Sequence, residues 1–231
     1  MKPINKIIIL VVILLAGAFY LLSGLSNDKV ISDIKPKASM EDKVKIVAFG
    51  DSLTAGLGLP ISDSYPAQLE TALTAKQLAV TVINSGVSGE TTKGNLERAS
   101  FIRSQNPDIV LLGIGGNDAL RLLPISETRK NIDETIGILK GGVNPPVVIL
   151  LQMQAPLNAG LGYKNEFDSI YEELAEKHNI LLVPFLTAEI FLDNANKLSD
   201  GIHLNQVGYG KVVDQYLMPV VEEVIIKLIG K

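Results

Sequence analysis

At 231 residues, 47% of them hydrophobic and 20% charged, the chain is long and apolar enough for one compact domain plus an appendage, and too apolar for global disorder. It has no cysteine, which excludes disulfides, thiolate nucleophiles and thiolate metal sites, and only two histidines, His178 and His203, which excludes a site of several imidazoles. The formal net charge is −4, with 19 basic and 25 acidic residues beyond residue 26 and no basic stripe, so nucleic acid is not an expected partner.

Lys2 and Lys6 precede an unbroken apolar run from Ile7 to Leu22, closed by Ser23-Gly24-Leu25-Ser26. A basic start followed by an apolar run marks an export signal. Counted from Ile4 to Leu25, the stretch is about 22 residues, long enough to span a bilayer as an N-terminal hydrophobic helix. Residues 1–26 are therefore expected to be a membrane anchor or a cleaved signal peptide. Small-residue sites for cleavage exist at Ala16-Gly17-Ala18 and Gly24-Leu25-Ser26. Either way the leading lysines favour a cytoplasmic N-terminus and an extracytoplasmic body. Residues 27–43 (NDKVISDIKPKASMEDK) are polar, hold one proline and show no sustained apolar period. They read as a flexible linker, with the folded domain spanning 44–231.

From Val44 onward, apolar β-branched runs alternate with helical patterns. Candidate strands are Val44–Phe49, Ala79–Asn84, Ile109–Gly113, Val147–Met153 and Ile180–Pro184. Helical spacing links Leu96, Ala99 and Ile102, then Ile132, Ile136 and Leu139, then Phe167, Ile170, Tyr171 and Leu174. The last stripe runs from Val212 to Leu228, with a kink expected at Pro219. Strands that alternate with helices imply a five-stranded parallel sheet covered on both faces, an α/β fold.

The first strand breaks at Gly50-Asp51-Ser52, which delivers a serine to the carboxyl edge of the sheet, where open α/β sheets bind ligands. Alone, Ser52 could simply cap a helix. Near the other end, Asp200-Gly201-Ile202-His203 offers a carboxylate and an imidazole three positions apart, the acid and base that a nucleophilic serine requires. The second strand is followed by Ser88-Gly89-Glu90-Thr91 and the third by Gly115-Gly116-Asn117-Asp118. The backbone N–H groups of Ser52 and Gly89, with the Asn117 amide, make three donors for a developing oxyanion. Rival motifs fail: Thr54 breaks G-x-S-x-G, Asp118 breaks the dinucleotide fingerprint, and there is no phosphate-binding loop. Asp51, Asp118 and Asp200 on separate turns read as hydrogen-bond anchors rather than metal ligands. His178 reads as a solvated helix-end residue, and Glu172, Glu173 and Glu176 as a wet helix face.

These blocks in this order resemble the SGNH (or GDSL) hydrolase superfamily from about Val44 to the C-terminus, closest to its bacterial thioesterase/lysophospholipase and arylesterase branch. The resemblance implies a flavodoxin-like three-layer α/β/α sandwich. It also implies Ser52 as nucleophile, His203 as base, Asp200 as orienting acid and Ser52, Gly89 and Asn117 as the oxyanion hole. No cofactor or metal is expected, and the implied partner is a small-molecule acyl ester, taken by a monomer. Many members carry Pro after the histidine; here it is Leu204. The expected activity is serine esterase action on acyl esters or thioesters such as lysophospholipids or arylesters. A carbohydrate O-acetylesterase and a catalytically silent, membrane-tethered binding module are the alternatives. The leucine-rich run after Asn117 holds Leu120 and Leu122, which either pack as core or line an acyl slot.

Overall fold

The computed structural model describes residues 27–36 and 43–230 of the chain. Its five strands are β1 (Val44–Gly50), β2 (Val80–Gly86), β3 (Ile109–Gly113), β4 (Val147–Gln152) and β5 (Leu181–Pro184). They pair in parallel throughout, in the order β2-β1-β3-β4-β5. All five expected strands are present. The central β3 is buried along its whole length and β1 almost so, which is why both read as continuous apolar runs. The edge strand β2 is half-exposed, and its polar Thr81, Asn84 and Ser85 fit that place.

Helices Tyr65–Ala75, Gln206–Val212 and Met218–Leu228 pack together on one side of the sheet. Thr92–Ser104, Ile125–Lys140 and Leu161–His178 pack on the other. This is the three-layer sandwich. The faces marked by Ile132, Ile136 and Leu139 and by Phe167, Ile170, Tyr171 and Leu174 are the buried ones. Near Pro219 the last helix does not simply kink. It opens into one π turn, Val213–Leu217, before Met218–Leu228 continues with Pro219 in its first turn. Proline has no N–H to donate to the preceding turn, and the π turn absorbs that missing bond.

The linker expectation for residues 27–43 needs correcting over its first part. Residues 27–32 are helical, and Val30 and Ile31 join the core. The Asn27 side chain clasps the backbone of β5: Nδ2 donates to Leu182 O at 2.9 Å and Oδ1 accepts from Leu182 N at 3.1 Å. Two buried aliphatic side chains and a paired amide, with the helix's own hydrogen bonds, oppose the entropy of ordering this short segment. The clasp also satisfies the polar groups of an edge strand. The apolar run Ile7–Leu22 lies outside the described residues; among those described, no helix is long and apolar enough to cross a membrane.

His178 is also not a free helix-end residue. Its Nε2 lies 2.6 Å from Asp133 Oδ1 and its side chain is mostly covered, so it ties Leu161–His178 to Ile125–Lys140.

Candidate active site

The chain reverses direction across the sheet between β1 and β3. β1 connects outward to β2 on one side, and the chain then returns to β3 on the other. That switch point opens a crevice at the carboxyl edge. Ser52, Gly89 and Asn117 all follow strands that end there.

Ser52 opens the short helix Ser52–Ala55, and Asp51 caps it by accepting from Leu53 N at 2.9 Å. Gly50 makes the turn possible. A Cβ on it would stand 2.2 Å from Thr54 Oγ1 and 2.4 Å from Gly113 O, so any side chain would push β1 away from β3.

His203 reaches the same point from the far end of the chain. Its Nε2 lies 2.8 Å from Ser52 Oγ and its Nδ1 lies 2.7 Å from Asp200 Oδ2. An ionised carboxylate only accepts, so Nδ1 carries the proton and Nε2 is left to receive one from the serine. Asp200 Oδ1 also accepts from the backbone N–H of Ile202 at 2.8 Å and of His203 at 2.9 Å. The bond to the His203 ring, then these two, hold the Asp200 carboxyl down at about 2. The turn is closed by an antiparallel bridge between Lys197 and Leu204, with Leu204 buried. A leucine after His203 thus fills core space beside the site.

Asn117 sits in the short helix Gly116–Leu120 and projects its amide between two acceptors. Nδ2 donates to Glu90 O at 3.0 Å and to Asp51 Oδ2 at 3.3 Å. Gly89 adopts φ +81°, a left-handed conformation that suits glycine, and its carbonyl accepts from Arg121 at 2.9 Å. Asp118, beside Asn117, is buried and accepts from Thr92 N at 2.9 Å and Thr92 Oγ1 at 2.6 Å. It thereby pins the turn after β3 to the helix that follows Gly89. Asp51 is the less comfortable carboxylate, because burial pushes it up to about 6 against the lowering effect of the Leu53 N–H.

Ser52, Gly89, Asn117 and His203 line one cleft of about 560 Å³. Its walls are apolar: Leu53, Leu57 and Leu120, then Met153 to Leu157 after β4 (with Gln154 the polar exception), and Leu186, Phe191 and Leu192 after β5. Leu120 is among the lining residues. Leu122 is not; it is exposed, at φ +51°, outside the cleft. The walls after β4 and β5 escaped the sequence reading. Their signal was present, as small and apolar residues (Ala155-Pro156-Leu157, Leu186, Phe191-Leu192) clustered just past two strand ends at the ligand-binding edge.

Residues 48–211 match the GDSL-like lipase/acylhydrolase family. The chain is 36% identical over 168 residues to an arylesterase of Vibrio mimicus, covering 72% of this chain and 82% of that one. It is 32% identical over 162 residues to an Escherichia coli protein named as thioesterase, protease and lysophospholipase, covering 70% and 76%. Among solved structures, a psychrotrophic esterase from a Pseudoalteromonas species superposes with TM-score 0.72 at 25% identity, covering 78% of this chain and 98% of that one. The SGNH-hydrolase family esterase AlinE4 superposes with TM-score 0.65 at 37% identity, covering 80% and 98%.

Proposed function

The chain belongs to the GDSL-like lipase/acylhydrolase family and is a carboxylic ester hydrolase, and on that premise we propose that it cleaves acyl esters with an apolar acyl chain through Ser52, His203 and Asp200. The observation that carries this reading is the unbroken relay from Asp200 Oδ2 through His203 to Ser52 Oγ, with spans of 2.7 and 2.8 Å, at the floor of an apolar cleft.

Ser52 Oγ attacks the ester or thioester carbonyl as His203 Nε2 takes its proton. Asp200 holds the ring in the tautomer that can accept it and stabilises the imidazolium. The N–H groups of Ser52 and Gly89 and the Asn117 amide receive the oxyanion. His203 then protonates the leaving group, and water, deprotonated by the same imidazole, releases the acid from Ser52.

The cleft walls favour an acyl ester over an acetylated sugar. Away from the reacting groups only Gln154, Asn158 and Lys164 bring polar side chains to the lining, too few to replace the hydration of a sugar ring. Lysophospholipids and long-chain arylesters or thioesters fit these walls. The domain acts outside the cytoplasmic membrane, tethered by Ile7–Leu22; the basic-then-apolar start of the chain supports this placement.

A fluorophosphonate probe tests the nucleophile. It should label the protein at Ser52, and Ser52→Ala or His203→Ala should abolish labelling and lower kcat by at least about 10³-fold. Activity above about a tenth of the parent's in either variant would remove the assignment. Best turnover on acetyl esters would point to the sugar O-acetylesterase instead. An unlabelled, inactive protein with the fold intact would be a silent binding module.

A further inference from the structure

We propose that the mouth of the cleft rests on the lipid surface of the membrane that holds the chain's own N-terminus, so that acyl substrate enters without crossing water. The inference rests on the tethered acyl-ester reading above and adds an orientation to it.

Two independent features carry it. The first is the rim. Leu57, Leu120, Leu157, Leu192 and Ile202 are all exposed, and all line the cleft that holds Ser52 and His203. They come from five separate segments: after the Ser52 helix, after β3, after β4, after β5 and just before His203. Scattered exposed leucines need no explanation, but five around one mouth form an apolar ring, with Leu157 72% and Leu192 64% exposed.

The second is the path of the chain before β1. Asn27 is clasped to Leu182 in β5. Nine residues later, Pro36 lies beside Gly230, just past the end of the last helix, where a Cβ added to the glycine would stand 3.5 Å from Pro36 Cβ. That helical stretch starts at Gln206 beside His203, at the carboxyl edge, and runs back across the sheet, so Gly230 lies at the amino edge. The chain therefore descends from β5 to the amino edge, where β1 begins at Val44. Leu182 stands in register with Leu150, Leu112 and Phe49, the last residue but one of β1, so Asn27 is held near the carboxyl edge, where the cleft opens.

The docked helix also shortens the tether. With residues 27–32 held on the domain, only Ser23-Gly24-Leu25-Ser26 separate Leu22 from Asn27. Five Cα–Cα steps reach at most roughly 18 Å when fully extended. A tether of that length, starting at Asn27 near the carboxyl edge, brings the apolar rim within reach of the bilayer before the amino edge. With 19 basic and 25 acidic residues beyond residue 26, the domain has no charge attraction for an anionic leaflet, which leaves apolar contact as the docking force.

The absence of cysteine makes the test direct, since each introduced thiol is unique. The full chain is reconstituted in phosphatidylcholine vesicles with an environment-sensitive fluorophore on Leu157→Cys, Leu192→Cys or Val143→Cys. Val143 is exposed and lies at the amino edge, between Ile125–Lys140 and β4. Spin-labelled phosphatidylcholine should quench the probes at 157 and 192 several-fold more strongly than the probe at 143. Co-flotation with the vesicles but equal quenching at all three positions overturns the orientation and leaves the tether standing. Failure to co-float overturns the tether and the orientation together, while ester hydrolysis by the unsubstituted chain shows that the enzymatic reading survives.

Discussion

Asp51 Oδ2 accepts a hydrogen bond from Asn117 Nδ2 at 3.3 Å, joining the residue before the proposed nucleophile to the proposed oxyanion donor. The bond is long, and the other amide hydrogen is held more closely by Glu90 O at 3.0 Å. The weaker bond is the one the amide can surrender to an oxyanion. Asp51 is 1% exposed, and burial raises its carboxyl from the ordinary 3.8 to about 6. A carboxyl raised on folding favours the folded state below its ordinary value, and that contribution is lost as pH rises through about 6. A shift of this size is worth about 3 kcal/mol.

Asp51→Asn should therefore lose this pH dependence. The variant keeps an oxygen to accept from Leu53 N but carries no charge to bury. Its stability relative to the parent should be about 3 kcal/mol more favourable at pH 8 than at pH 3.5. Chemical denaturation of both proteins at the two values measures the difference. A flat or opposite trend would mean that Asp51 is comfortably ionised in the fold.

Asn117→Ala acts on the same pair from the other side. Losing the amide should lower kcat by roughly 10²–10³-fold with a smaller change in KM, because the bond to the oxyanion forms only as charge develops. It also deprives Asp51 of a partner that lowers its pKa, so the pH at which the linked stability is lost should move up. A rise in KM at unchanged kcat would make Asn117 a ground-state binding residue.

The turns after β1, β2 and β3 were legible because glycines bracket short polar motifs at the ends of apolar runs. His203 could be set beside Ser52 because the chain has only two histidines and this one follows a carboxylate by three positions. What the sequence hid was long-range pairing. Asn27 looks like part of a polar linker until Leu182 is beside it, and Val30 and Ile31 are too few to show a period. His178 reads as solvated because its partner Asp133 lies 45 positions away. Leu120 and Leu122 differ by two positions, which in a tight turn puts one in the cleft and the other outside it.

Gly86 tests whether the support of the Ser52 helix is rigid. A Cβ there would stand 2.2 Å from Ala55 N and 2.7 Å from Ala55 Cα, backbone atoms that cannot rotate away. Gly86→Ala should cost about 1–3 kcal/mol and lower kcat, because the helix that starts at Ser52 must shift. Gly137, exposed in Ile125–Lys140, is the control, since a Cβ there would meet nothing within 4 Å. Gly137→Ala should stabilise by about 1 kcal/mol and leave kcat alone. Thermal denaturation and ester turnover of both variants separate a local displacement from a general glycine effect.

The acyl slot can be tested by setting Leu120 against Leu122. Both leucines are about half exposed, so simple loss of surface apolarity affects them alike. Only Leu120 lines the cleft. Each methylene that enters an apolar slot adds up to ~0.8 kcal/mol of binding. Lengthening an acetyl ester to an octanoyl ester should thus raise kcat/KM by at least about tenfold in the parent, since even two buried methylenes supply about 1.6 kcal/mol. Leu120→Ser should flatten that rise while acetyl ester hydrolysis persists. Leu122→Ser should keep the parent's slope. Equal flattening by both substitutions would show that the effect comes through the turn after β3 and not through contact with the chain. A slope unchanged by either would leave the walls after β4 and β5 as the acyl site, with Leu157→Ser and Phe191→Ser the next positions to measure.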